Sequence, residues 1–223
     1  MDSLPFTLTD DGRFHIDAYP EAVKAVGLTG DHAERLAHLL LHTQDLTFAH
    51  DCVATLQITP DKLRVVREAL WRAGVIAWSK CFSKSHAGRF RLTRDEIYDE
   101  GIPRDVFAYF IALRNKHFAH DENAFAQAVP GAVIGPPGGE QKVLDVLCLR
   151  MHVATASADA DINNFGLLVE TALQWVSAEY DMVVNTIRDD LEQCTYEELL
   201  ALPSMVVHPP NAEDAASRRT SRQ

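Results

Sequence analysis

Between Phe107 and Glu122 the chain reads F-A-Y-F-I-A-L-R-N-K-H-F-A-H-D-E. The first half is apolar, and the second gathers Arg114, Asn115, His117 and His120. Imidazole is the side chain best matched to proton transfer near neutral pH. Guanidinium is the best bidentate partner for a phosphate. Metal-free cleavage of RNA needs a base for the 2′-hydroxyl proton, an acid for the leaving 5′-oxygen and a cation on the phosphate. An arginine and a histidine are the side chains suited to those needs. The competing assignment pairs Arg114 with Asp121 or another carboxylate and leaves His117 and His120 as partly buried polar residues.

Phe107, Phe110, Ile111 and Phe118 recur at helical spacing, which predicts an amphipathic helix with one face in a core. On such a helix Arg114 and His120 are separated by a rise of about 9 Å and a rotation of roughly 120°. His117, three residues from each, shares part of both faces. A working pair therefore requires either a helix distorted near Phe118 or residues from two copies of the chain.

Arg114 and His120 enclose five residues, and the residue after the arginine is polar. This resembles the R-x(4–6)-H motif of the HEPN superfamily, many of whose members are metal-independent RNases. The string R-N-K-H-F-A-H is most similar to the abortive-infection branch. The resemblance implies a mainly α fold, an up-and-down helical bundle, to which the chain's own residue pattern adds a small β-hairpin decoration and a disordered C-terminal tail. It also implies a homodimer whose two motif helices face a common cleft. In that cleft Arg114 polarises the scissile phosphate, His120 transfers protons, Asn115 orients the pocket and His117 supplements His120 or packs beside it. The implied products are a 2′,3′-cyclic phosphate and a 5′-hydroxyl, formed without a cofactor, and the implied setting is phage defence or a toxin system with an antitoxin partner. One toxin subgroup carries a tyrosine two positions after the histidine as a modification target; Glu122 stands there in this chain. Two alternatives are a non-catalytic HEPN-like module that binds a nucleotide, RNA or protein, and a histidine-based metal protein.

The net charge of −11 opposes general nucleic-acid binding. Its distribution is uneven, because Lys62, Arg64, Arg67, Arg72, Lys80, Lys84, Arg89, Arg91 and Arg94 face only Glu68 in that span. A locally basic segment can hold one RNA in one groove, and Lys80, Lys84, Arg89, Arg91 and Lys116 are its candidate contacts. The bland alternative is an ordinary solvated face. The four cysteines are widely spaced with no C-x-x-C pair, which predicts reduced thiols rather than a zinc or disulfide framework. No signal peptide and no membrane-length apolar run is visible, so a cytoplasmic protein without membrane contact is expected.

These residues need a scaffold. Residues 1–202 are read as one helical domain and 203–223 as its disordered tail. Residues 5–17 alternate around Asp11-Gly12, a hairpin signal. A short helix is expected over 18–27, then a long one from Asp31 to about Leu56 with Leu36, Leu39, Leu40, Leu46 and Phe48 inward. His38 and His42 lie four apart on it, but nothing at matching spacing completes a metal site. Pro60 opens a helix running to about Ala73 with Leu63, Val66, Leu70 and Trp71 as its apolar side, which Gly74 interrupts or passes through; Trp71 and Trp78 are assigned to the core. Leu92–Glu96 marks a helix start, and Pro103 opens the motif helix. Val129-Pro130-Gly131 reads as a turn, and a hairpin is expected over 132–154. Residues 159–193 form the longest helix, the spine of a bundle.

Overall fold

The computed structural model describes residues 6–8, 14–16, 18–84, 88–120, 125–152 and 159–206. The fold is mainly helical, with two small antiparallel ribbons. Strands β1 (Phe6–Leu8) and β2 (Phe14–Ile16) form the first, paired from Phe6–Ile16 to Leu8–Phe14. Helices α1 (Asp31–Ile58), α2 (Arg64–Cys81), α3 (Arg94–Ile97) and α4 (Ile102–Leu113) follow, and a π-helical turn, Arg114–Ala119, extends α4. Strands β3 (Ala126–Ile134) and β4 (Val143–His152) form the second ribbon; α5 (Asp159–Glu192) and α6 (Tyr196–Ala201) close the fold. Among the described residues no helix is long and apolar enough to cross a membrane.

The chain divides into two compact units. One comprises Met1–Thr43, Lys84–Phe90 and Val176–Gln223; the other comprises Gln44–Ser83 and Arg91–Trp175. The second contains the motif. Its core is aromatic: Trp71 meets Phe110 and Phe165 edge-on at 5.6 and 5.4 Å, and Trp78 meets Phe107 and Phe165 at 5.1 and 5.7 Å. Edge-to-face rings of this kind add to area burial. Seven residues, close to two helical turns, put both tryptophans on the inner face of α2. Between them Gly74 continues the helix instead of breaking it, because a Cβ there would stand 3.2 Å from the Cβ of Cys52 and 3.5 Å from the carbonyl of Ala49. The absent side chain is what lets α2 approach α1.

In the first unit, α1 is clamped to the segment before Arg91. His42 Nε2 lies 2.9 Å from the carbonyl of Phe90, the Arg35 guanidinium stacks 5.0 Å over the Phe90 ring, and Arg35 pairs with Glu179 of α5. His38 sits 5.8 Å from the same ring and 3.9 Å from Glu34. These two histidines face a loop.

Several expectations are corrected. Residues 18–27 form a turn and an extended run rather than a helix. Gly27 N–H donates to Pro203 at 2.8 Å and Met205 N–H to Ala25 at 3.0 Å around a Val26–Ser204 bridge. So short a helix is marginal, and its backbone groups find partners in another segment instead. The same pairing orders 203–206, the start of the expected tail; 207–223 lies outside the described residues, as does the Asp11-Gly12 turn. The helix expected from Pro60 starts at Arg64, and Leu63 and Val66 are exposed. On α1, Leu40 and Phe48 are 51% and 52% exposed, off the face that buries Leu39 and Leu46. Val129-Pro130-Gly131 is not a turn but lies inside β3, opposite Leu149, Cys148 and Leu147. A two-stranded ribbon leaves each strand one open edge, where a residue lacking N–H is tolerated.

Candidate functional site

Pro103 in the first turn pre-sets the start of α4, and Phe110 and Leu113 anchor its inner face. The helix then changes pitch. From Arg114 to Ala119 the backbone closes i to i+5, a rare geometry that favours functional sites. Arg114 itself keeps right-handed dihedrals, φ −57° and ψ −51°, so the change occurs without a break. His120, at φ −129° and ψ −6°, stands just past the turn and is exposed.

The distortion falls on the segment that the spacing argument singled out. Arg114 opens this turn, and His120 caps its end. In a turn closed five residues apart, Phe118 and Ala119 come back over Arg114. Two contacts hold the turn. The Arg72 guanidinium, ion-paired to Glu68 at 2.7 Å, lies 5.3 Å over the Phe118 ring. His117, 8% exposed, packs its ring against Phe118 at 5.4 Å and Phe125 at 5.5 Å. Nothing in the sequence pattern marked Arg72 or Phe125 as neighbours of the motif.

Arg114 is partly exposed and donates from Nη1 to Asn115 Oδ1 at 2.8 Å. This neighbour-to-neighbour bond aims the guanidinium and leaves other N–H groups of the fork for a ligand. Asn115 and Lys116 are exposed. The turn therefore presents Arg114, Asn115, Lys116 and His120 to solvent, while His117 faces inward. Asp121, the carboxylate of the competing assignment, lies outside the described residues, as does Glu122.

The basic segment resolves differently. Arg67 is buried and donates to the carbonyls of Leu56 and Thr59 at 2.9 and 2.6 Å, capping the end of α1. Arg89 is buried and donates to Leu41. Lys80 pairs with Asp45 at 2.8 Å, and Arg94 with Asp95, whose carboxyl that hydrogen bond holds below the usual range. Lys84 and Arg91 are exposed. Of the five candidate RNA contacts, Lys84, Arg91 and Lys116 stand in solvent, Lys80 is shared with a carboxylate, and Arg89 is committed to the fold. A cavity of about 490 Å³ lined by Gln57, Asp61, Arg67, Asp159 and Asn163 includes none of the predicted site residues.

Comparison of the chain with protein-family models, curated proteins and solved structures finds no match.

Proposed function

We propose that the chain is a metal-independent endoribonuclease of HEPN type, cutting RNA in a cleft that two copies build together. The π-helical turn carries the proposal: it presents Arg114 beside Asn115 and leaves His120 exposed at its end. Arg114 holds the scissile phosphate and Asn115 fixes the guanidinium; His120 takes the proton of the 2′-hydroxyl as that oxygen attacks phosphorus and returns a proton to the 5′-oxygen as the P–O5′ bond breaks. His117, buried with its ring against Phe118 and Phe125, supports a packing role in this reading, with proton transfer left to His120. Phage defence or a toxin system with an antitoxin remains the setting that the motif suggests.

The test is cleavage of a labelled RNA by the purified chain, in the presence of a chelator. The expected products end in a 2′,3′-cyclic phosphate and a 5′-hydroxyl. Arg114→Ala and His120→Ala are each expected to lower the rate by about 10²-fold or more, the usual scale for a lost proton-transfer group. Arg114→Lys restores little, because an ammonium lacks the planar fork. Full cleavage by both alanine variants overturns the proposal. A second reading has its own support in the inward-facing His117: a binding module needs the cation but no proton-transfer pair. Specific RNA binding without cleavage, lost in Arg114→Ala, selects it.

A further inference from the structure

The β3–β4 ribbon is two-stranded and carries a row of exposed apolar side chains. Val133, Ile134, Leu144, Val146, Leu149 and Met151 are all at least 40% exposed, Val146 at 74%. Scattered apolar residues are ordinary on a surface, but a contiguous set marks a contact. An isolated two-stranded ribbon is also marginally stable in water, and three or more strands secure it.

The two edges are unlike. Strand β3 contains Pro130 and Gly131, with an irregular register at Val133–Ile134. Proline and bulges are what proteins use to close an edge against further strands. Strand β4 has no proline or glycine from Val143 to His152. The N–H of Val146 is bonded to the neighbouring Asp145 carboxylate at 2.8 Å.

Charge selects the occupant. The whole chain carries −11, so two copies repel over most of their surfaces. From Ala126 to His152 the formal charges are Glu140, Lys142, Asp145 and Arg150, which cancel. A neutral, apolar, antiparallel edge is complementary to its own image under a two-fold axis. We infer that the open edge of β4 pairs antiparallel with the β4 of a second copy, joining two ribbons into one four-stranded sheet. This inference rests on the homodimer in the function proposed above and names its interface. Phe125, whose ring lies 5.5 Å from that of His117, immediately precedes β3.

Light scattering of the full chain measures the association. The unmodified chain is expected at the mass of two copies. Val146→Pro, which fixes φ in the middle of β4 and places a proline where a central strand does not accept one, is expected at the mass of one, with unchanged helical circular dichroism. Leu149→Lys on the same strand leaves every backbone group in place and is expected to weaken the dimer at least tenfold. Cys148 lies near the middle of β4 and is exposed. Mild oxidation of a Cys194→Ser chain is therefore expected to give a covalent dimer, and of a Cys148→Ser chain none. A chain that is monomeric at every concentration, or a dimer indifferent to both Val146→Pro and Leu149→Lys, overturns the inference. A dimer that is lost with these variants yet never cuts RNA upholds the interface and removes the nuclease instead.

Discussion

At the scale of single residues, the chemistry of a side chain and its job here are often different things. Tyr98 is a case where they converge. Its hydroxyl donates to the carbonyl of Leu168 at 2.8 Å and accepts from Trp78 Nε1 at 3.2 Å. Burial pushes its ionisation well above the ordinary tyrosine value. The folded state therefore holds this proton more tightly than the unfolded chain does. The stability it contributes is complete below about pH 10 and is lost as pH rises toward the raised folded value. Tyr98→Phe is expected to cost about 1–2 kcal/mol at neutral pH, from the lost bond and the tryptophan N–H left without an acceptor. Denaturant unfolding from neutral pH to about pH 11 checks the second half: the variant's stability falls less steeply with pH. Parallel profiles for the two chains would remove Tyr98 from the account. Divergence between type and job, by contrast, explains what the basic segment concealed. Arg67 and Lys80 look alike in sequence, yet one caps the carbonyls of Leu56 and Thr59 and the other pairs with Asp45 on the surface. Composition carries the charge of a residue, not the carbonyl it has reached.

At the scale of elements, spacing is a good guide where one face is buried and a poor one where shape decides. Trp71 and Trp78 seven apart, Pro103 at a helix start and the long apolar series after Asp159 were all legible, since periodicity reports burial directly. Leu40 and Phe48 misled because a helix this long passes apolar residues through solvent as well as core. Gly74 was ambiguous for a different reason: a glycine that breaks a helix and one that lets two helices touch are the same letter. Gly74→Ala separates the two. Helix propensity favours alanine by about 1 kcal/mol. Against this, the new methyl meets the Cβ of Cys52 at 3.2 Å, with the Ala49 carbonyl and Phe165 ring at 3.5 Å. Backbone and ring cannot both withdraw, and overpacking costs about 1–3 kcal/mol. The expected outcome is a net loss of about 1 kcal/mol, read as a lower melting temperature. A more stable variant would show that the helices have room to part. The π-helical turn could be foreseen only as a need, from the offset of Arg114 and His120; its position depends on Arg72 and Phe125, which reach it from elsewhere in the chain.

At the scale of the whole molecule, the remaining question is whether one copy can do the proposed chemistry alone. On the function proposed above, two composite sites lie within the common cleft, each taking Arg114 from one subunit and His120 from the other. That has a consequence no single-chain site shares. In a dimer of one Arg114→Ala chain and one His120→Ala chain, one composite site contains both lesions. The other site contains none. Each variant by itself forms only dimers in which every site lacks a residue. Mixing the two inactive proteins at equal concentration, under conditions where subunits exchange, gives heterodimers in half of the population, each with one sound site of two. RNA cleavage is then expected to return to about a quarter of the unmodified rate. Adding Val146→Pro to both chains is expected to abolish the recovery if the copies meet through the β4 pairing inferred above. Were both residues to act within one subunit, every site in the mixture would remain defective, and the activity would stay where each variant left it.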